Sequence, residues 1–224
     1  MQSLESCDNI QINFQGERAM KYFNFGINEI REDKFNPIDN SKAIDDIKPI
    51  GGLWATKHNE EYKDFNKWID FILYYNKHLF FYKYNKADRL VNWNQPCSLI
   101  TLKDKANLFN LTDIDKYNYL LKKYPYDNNR FSYKDLSKNY DGLYIEPNRI
   151  ENSKLDDNTK KKINKFGLDS LVLFNLDCID YYQKGIVSIE PFEYECDFDA
   201  SCCDLDEPQY EINISNEKKK ILKR

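Results

Sequence analysis

The sequence predicts an α+β domain, and two observations carry that prediction. Short apolar or alternating segments, which are typical of strands, are separated by a few amphipathic segments, which are typical of short helices. At 224 residues the chain is long enough for one generous domain and short for two. No internal repeat is visible. We therefore expect a single domain in which split antiparallel sheets are joined by short helices.

The first half of the chain predicts two strands, a loop and a helix. The segment K-Y-F-N-F-G, from Lys21, favours a short aromatic strand that ends in a glycine turn. Residues 27–47 are polar and contain Asn36-Pro37, so we expect mostly loop with one helical turn. A second strand carries Trp54. Between Glu60 and Tyr75 the apolar residues recur at steps of three and one, which predicts an amphipathic helix.

The second half predicts two more helices and four strands. Asp113–Tyr124 follows a Thr/Asp capping signal, and Ser132–Tyr140 is a second short helix. Residues 152–165 are too polar to bury and are expected to be loop or exposed helix. The predicted strands are Ser98–Leu102, D-G-L-Y-I-E-P at 141–147, D-S-L-V-L-F-N at 169–175, and a strand within Lys184–Glu195.

Charge and composition divide the chain into three parts. Residues 1–19 are polar and aperiodic and predict a loose leader. The domain is expected over 20–195. Nine acidic and no basic residues lie between Glu190 and Glu211, and five basic residues lie between Lys218 and Arg224, so residues 196–224 predict an acidic and then basic C-terminal tail.

The overall composition excludes several classes of function. The net charge of −4 gives no general phosphate-binding field, so a nucleic-acid partner would need a local patch. No apolar run reaches the roughly 18 residues of a membrane span, and no signal peptide is visible. We expect no membrane partner and a cytoplasmic location. The six cysteines are expected to be free thiols, and Cys196, Cys202 and Cys203 have no nearby His, so we predict no metal site.

A further segment leaves two interpretations open. Aromatic residues interleave with lysines over residues 74–86. Such a pattern can stack bases beside phosphates. Core packing explains it equally well, because lysine and asparagine are abundant throughout this chain. His58 follows the Trp54 strand closely and is expected at the surface.

The stretch K-P-I-G-G-L-W-A-T gathers scarce residue types in one place. The chain has only seven glycines, and Gly51 and Gly52 stand side by side, two positions before Trp54. A hairpin turn followed by a core tryptophan accounts for this pattern. Glycine also allows a ligand to approach the backbone, and an aromatic two residues further along the same face of a strand could stack on a flat ring.

These motifs, in their order along the chain, resemble the ADP-ribosyltransferase fold. The likeness is to bacterial and phage proteins that carry K-P-x-G-G-L-W-[AS]-[ST] between an aromatic first strand and a later D-S-[IL]-[IV]-x-x-N strand. It extends from about Met20 to Ile179. The resemblance implies an ADP-ribosyltransferase-like α+β fold and NAD as the substrate.

The resemblance also assigns site residues. Asn24 takes the first-strand place at which the family usually has His or Arg on a ribose of NAD. Gly52, with Gly51, takes the place whose backbone binds the nicotinamide carboxamide, while Trp54 and Thr56 match the aromatic and hydroxyl positions after it. Asp169 takes the place of the Glu that bonds the ribose 2′-hydroxyl, with Glu146 and Glu190 as fallback acids. Asn24 and Asp169 both depart from the family pattern.

Two functions follow from this set of residues. The first is an NAD-dependent transferase that moves ADP-ribose to a protein or nucleic-acid acceptor, with Asn24 and Asp169 as catalytic residues. A fixed carboxylate would stabilise the positive charge that grows on the ribose when the glycosidic bond breaks. The second is a non-catalytic module on the same fold that binds a nucleotide or a partner, and the substitutions at Asn24 and Asp169 favour it.

Overall fold

The computed structural model describes residues 20–40, 51–58, 93–127, 130–147, 169–189 and 210–221. The helix predicted over Glu60–Tyr75, the leader at 1–19, the polar segment 152–165, the aromatic and lysine-rich segment 74–86 and the C-terminal cysteines lie outside these ranges. Within them, no helix is long and apolar enough to cross a membrane.

Ten strands and two α-helices make up the described part. The strands are β1 (Lys21–Phe25), β2 (Leu53–His58), β3 (Trp93–Leu102), β4 (Leu108–Leu111), β5 (Pro125–Asp127), β6 (Arg130–Phe131), β7 (Gly142–Ile145), β8 (Ser170–Leu173), β9 (Ile179–Ile189) and β10 (Tyr210–Lys219). The helices are α1 (Ile114–Lys123) and α2 (Tyr133–Leu136), and a 3₁₀ turn covers Glu32–Lys34.

Both helices begin where the sequence places a capping residue. The Asp113 carboxylate accepts a hydrogen bond from the Lys116 amide at the start of α1, and the Ser132 hydroxyl accepts one from the Asp135 amide at the start of α2. Helix α1 turns Tyr117 and Leu120 inward. The two helices that were predicted within the described ranges are therefore confirmed, although α2 ends earlier than predicted.

Eight strands form one sheet, in the order β10-β9-β3-β1-β2-β8-β7-β4. Neighbours pair antiparallel except β4 and β7, which pair parallel. Strands β5 and β6 form a separate two-stranded ribbon. The α+β class is confirmed, and the predicted antiparallel pairing holds for every neighbouring pair of described strands except β4–β7, which is parallel.

Strand β2 joins two halves of the sheet, because its first and last residues pair with different neighbouring strands. Its first residues, Leu53 to Ala55, pair with β8, whereas Thr56 to His58 pair with β1. One half then continues through β3, β9 and β10, and the other through β7 and β4. The joint is therefore a stagger within one strand.

The sheet is strongly curled about this joint. The rings of Tyr22 on β1 and Tyr144 on β7 lie 6.3 Å apart, edge to face, although two strands separate β1 from β7 in the sheet. Because neighbouring strands are about 4.8 Å apart, a flat sheet would hold these rings much further from each other. We call the concave side the inner face.

Two hydrophobic cores follow from this curvature. The inner face buries Tyr22, Ile100 and Tyr182 from one half against residues of the other, which include Leu53, Ala55, Tyr144 and Leu171. The opposite face of the second half buries Val172, Leu143 and Ile145 beneath residues of α1 and α2. Alternation along each strand decides which residues enter which core.

The structure differs from the sequence predictions in several strands. The strand predicted over Ser98–Leu102 begins earlier, at Trp93, and β4 was not predicted. The tail expected over 196–224 needs a correction, because Tyr210–Lys219 form β10 and pair with β9. Ile212 and Ile214 alternate with polar residues there. The Ile214 side chain packs closely over Gly185 of β9, since a Cβ added to that glycine would lie 2.5 Å from Ile214 Cδ1. The local charge concealed that alternation.

Candidate functional site

The turn before β2 is closed by its two glycines. Gly51 and Gly52 have φ angles of 90° and 71°, in the left-handed region that favours glycine. A Cβ on Gly51 would lie 2.2 Å from the Pro37 carbonyl oxygen, and one on Gly52 would lie 2.6 Å from Val172 Cγ2. Both conformation and close packing therefore require glycine here.

The polar groups of this turn bond to one another. The Gly52 amide donates to the Asn36 carbonyl at 2.8 Å, and the Trp54 indole N–H donates to the Gly51 carbonyl at 3.0 Å. Trp54 also packs against the core beneath α1 and α2. The Gly52 N–H, which the resemblance assigns to a nicotinamide carboxamide, is thus already in use in this conformation. We call Asn36, Gly51, Gly52 and Trp54 the closed turn.

Thr56 contacts Asp169 further along β2, away from the closed turn. The Thr56 hydroxyl donates to the Asp169 carbonyl at 2.9 Å, at the point where the β2–β8 backbone pairing has ended. Thr56 is buried, and Asp169 is half-buried directly before β8. If the β7–β8 register continues by one residue beyond Ile145 and Ser170, Glu146 lies opposite Asp169. In that register, two acids lie side by side at this edge.

The Asn24 side chain likewise bridges β1 and β2 beyond the end of their backbone pairing. It is 3% exposed, and its Nδ2 donates to the Trp54 carbonyl at 2.5 Å, beyond the last β1–β2 pair at Phe23 and Thr56. Its other polar atom, Oδ1, is buried and has no hydrogen-bond partner among the described residues. Asn24 is therefore only half satisfied.

The structure brings the predicted residues onto three adjacent strands but divides them between two faces. Alternation places Asn24 on the inner face with Tyr22, and Asp169 on that face with Leu171. Trp54 lies on the opposite face, where alternation also places Thr56. Asn24 and Asp169 are separated by β2, and Asp169 is offset along the sheet from Asn24.

The sequence analysis missed Ser98. Ser98 lies directly opposite Asn24 on β3, and Lys184 lies opposite Ser98 on β9. Ser98 is fully buried, and its hydroxyl, like Asn24 Oδ1, has no partner in the described part of the chain. The signal was present: a serine occupies an inward position of the alternating segment Ser98–Leu102. We call Asn24, Ser98 and Lys184 the polar row.

The polar row lies between a dry core and an open edge. On one side is the buried row Tyr22, Ile100 and Tyr182. On the other side the Gly26 amide donates to the Pro96 carbonyl, and Pro96 lies opposite Ile186. Ile186 is 48% exposed, and a Cβ added to Gly26 would have no heavy atom within 4 Å. The inner face is therefore open beside the polar row.

A cleft of about 310 Å³ lies elsewhere, near the ends of β3 and β10. Its apolar residues include Phe35 and Ile179, and its charged residues include Lys103 and Lys220. The Lys220 amine pairs with Asp180, and the Lys103 amine donates to the Asp177 carbonyl. None of the residues predicted from the sequence lines this cleft.

The described cysteines are unsuited to nucleophilic catalysis. Cys97 and Cys178 are free and buried, and burial raises the pKa of each thiol to about 12. The reactive thiolate is therefore scarce at neutral pH. Over the described ranges, no three His, Cys, Asp or Glu side chains are grouped to hold a metal ion.

Comparison with protein-family models, with curated proteins and with solved structures finds no match to this chain.

Proposed function

We propose that this chain binds NAD at the inner face beside Asn24 and transfers its ADP-ribose to a protein or nucleic-acid acceptor. The observation that carries the proposal is the buried, unpaired Asn24 Oδ1, with the unpaired Ser98 hydroxyl opposite it. Asn24 occupies the first-strand position that the resemblance assigns to a ribose of NAD. Ribose hydroxyls and carboxamides can satisfy both protein groups.

Asp169 supports the catalytic part of the proposal. Its backbone is fixed by the Thr56 hydroxyl, and alternation places its carboxylate on the same face as Asn24. In the transfer, the bond between nicotinamide and ribose breaks and its electron pair leaves with nicotinamide. A nucleophile of the acceptor then bonds to the ribose carbon and loses its proton to solvent. A fixed carboxylate stabilises the positive charge that the ribose carries meanwhile.

The closed turn favours the second candidate, a non-catalytic nucleotide- or partner-binding module. The Gly52 amide and the Trp54 indole both bond within the turn, so neither is available to a ligand without rearrangement. Asn24 also cannot carry the charge of the His or Arg that it replaces. A ligand bound through Asn24 alone would be held but not activated.

Two measurements on the purified chain test the proposal. Calorimetry with NAD tests binding, and transfer of labelled ADP-ribose to protein or nucleic acid tests catalysis. Asp169→Ala should reduce transfer about 10²-fold or more. Asp180→Ala is the matched control, because Asp180 is an acid in a surface ion pair with Lys220 at the distant cleft. Glu146→Ala shows which of the two adjacent acids acts.

The outcomes separate the candidates. Transfer that is lost in Asp169→Ala and retained in Asp180→Ala supports the enzyme. Binding of NAD without transfer supports the module. An NAD titration without heat or thermal stabilisation contradicts the proposal.

A further inference from the structure

Asn24 and Ser98 form a pair of buried polar groups that the fold leaves unsatisfied. They lie directly opposite each other on β1 and β3, at 3% and 0% exposure. Directly opposed residues have Cβ atoms about 5 Å apart. Asn24 Oδ1 and Ser98 Oγ nevertheless bond neither to each other nor to another group in the described ranges.

Such a pair needs a physical reason. Native proteins bond the large majority of their buried polar side chains, because a buried group without a partner loses its water and gains nothing in return. Alanine would fill the Ser98 position without that cost, and the next inward row uses only apolar or aromatic side chains. The cost is recovered when a ligand supplies the missing bonds.

The surroundings suit a ligand with a flat body. Apolar sites with a few placed polar groups are the usual form of small-molecule pockets. The polar row has the aromatic row of Tyr22 and Tyr182 on one side and the half-exposed Ile186 on the other. Gly26, which follows β1 with a φ of 96°, leaves open space at this edge.

We infer that Asn24 and Ser98 form a two-point binding site for a planar group that carries an N–H donor beside an acceptor. Asn24 Nδ2 is engaged by the Trp54 carbonyl, so the carboxamide offers Oδ1 as an acceptor. Ser98 can donate its hydroxyl proton. A primary carboxamide and the amino edge of adenine both present this donor–acceptor pair. The inference rests on the proposed function only in taking the two ends of NAD as probes.

A ligand reaches Asn24 and Ser98 only if the Lys184 side chain, at the outer end of the polar row, moves aside. The Lys184 amine lies 3.3 Å from the Glu29 carboxylate, and both side chains are partly exposed. Lys184 is opposite Ser98 on β9, whereas Glu29 follows β1, so this ion pair lies beside the inner face at the level of Ser98. Exposed ion pairs contribute little to stability, so opening this one is not a large obstacle.

The test compares matched ligands on matched variants of the full chain. Nicotinamide is compared with nicotinate, which lacks the N–H donor, and adenosine with purine riboside, which lacks the amino group. Each is titrated by calorimetry into the wild type, Ser98→Ala and Ser132→Ala. Ser132 is an equally buried serine, but its hydroxyl caps α2. Asn24→Leu is a second variant of similar volume. It removes the unpaired oxygen together with the Nδ2 bond to the Trp54 carbonyl, so its melting temperature is measured as well.

The inference predicts that nicotinamide or adenosine binds the wild type, and that its partner without the donor binds at least about tenfold more weakly. Ser98→Ala should weaken the preferred ligand about tenfold without lowering the melting temperature, and Asn24→Leu should also weaken it. Ser132→Ala should lower the melting temperature without changing affinity.

The failures of the two proposals are distinguishable. If NAD is bound and its ADP-ribose transferred, but Ser98→Ala and Asn24→Leu bind every ligand as tightly as the wild type, the inference is wrong and the proposed function stands. If a fragment binds in a Ser98-dependent manner without any NAD binding, the inference stands and the proposed function fails. If neither fragment binds the wild type, or if Ser98→Ala melts at a lower temperature than the wild type, the inference is overturned.

Discussion

The closed turn and the polar row flank the same strand pair and treat their polar groups in opposite ways. In the closed turn, the Gly52 amide and the Trp54 indole both bond to carbonyls of neighbouring residues. In the polar row, Asn24 uses its Nδ2 and leaves Oδ1 unpaired, and Ser98 uses no side-chain bond within the described residues. The space differs as well, because Gly51 is crowded by the Pro37 backbone and Gly26 is open.

Two asparagines show the same contrast. Asn40 donates to the Phe131 carbonyl at 3.0 Å and accepts from the Tyr133 amide at 2.8 Å, so both ends of its carboxamide are used. Asn24 uses only one end. A saturated polar group serves the fold, whereas an unsaturated buried one is a candidate for a ligand. The Gly51-Gly52 motif is the most unusual one in the sequence, yet the Gly52 amide and the Trp54 indole beside it are both used in hydrogen bonds within the fold.

The largest expected effect concerns two of the three glycines that have a positive φ in the described ranges, Gly51 and Gly26. Gly51→Ala should lower the free energy of unfolding by about 4 kcal/mol, because it adds backbone strain and a clash with the Pro37 carbonyl. Gly26→Ala should cost only about 1 kcal/mol, because strain is its only penalty. Urea unfolding of both variants measures the difference. Equal costs would show that the two turns are packed alike.

The second effect tests whether the core next to the polar row is dry. Burial raises the pKa of Tyr22 to about 12 from its ordinary value of 10.0. The neutral phenol is therefore favoured in the folded state. Its contribution is complete below pH 10 and is lost as the pH rises to 12, which amounts to about 3 kcal/mol.

Unfolding of the wild type and Tyr22→Phe between pH 9 and pH 12 isolates this contribution, since other alkaline groups are common to both. The wild type should lose stability relative to Tyr22→Phe across that range. A constant difference would mean that water reaches Tyr22, and the boundary between the dry core and the polar row would have to be moved inward.

The third effect concerns the saturated asparagine. Asn40→Ala leaves the Phe131 carbonyl and the Tyr133 amide without their partner, so we expect a loss of about 2 kcal/mol in unfolding free energy. Ligand affinity should not change, because Asn40 lies with the α2 core and away from the inner face. Denaturation and calorimetry on the same sample check both statements. Weaker ligand binding in this variant would erase the contrast with Asn24.

The smallest expected effect tests whether Trp54 serves only the closed turn or also binds a ligand. Trp54→Phe keeps an aromatic ring and removes the indole bond to the Gly51 carbonyl, so it should cost about 1 kcal/mol of stability. If Trp54 serves only the closed turn, NAD affinity should be unchanged. A large loss of affinity would instead support the stacking role that the resemblance assigns to it.

Local signals in the sequence were sufficient for elements that are defined by their neighbours along the chain. The Thr/Asp capping signal located the start of α1, the segment from Ser132 was predicted as the second helix, and the apolar run Ser170–Leu173 identified β8. Strand β10 was obscured, because a run of charged residues is typical of a solvated segment. Its alternation at Ile212 and Ile214 becomes significant only when β9 lies beside it.

The candidate site shows the same limit. Asn24, Trp54, Thr56 and Asp169 could be selected from motif order, and the structure places them on three adjacent strands. Their division between two faces depends on the pairing register of β1, β2 and β8, and no local pattern encodes the pairing of strands that lie far apart in the sequence. Ser98 was missed because a serine in a strand becomes notable only when its burial and its lack of a partner are known.

The sequence by itself determined the α+β class, the two helix starts and the glycine requirement of the turn, because capping, alternation and backbone strain act over a few residues. Only the tertiary structure decided which polar groups are satisfied. Hydrogen bonds such as those from the Thr56 hydroxyl to the Asp169 carbonyl and from the Tyr133 amide to the Asn40 side-chain oxygen join residues that are 113 and 93 positions apart. The saturation of a buried group depends on such distant partners, and therefore on the complete fold.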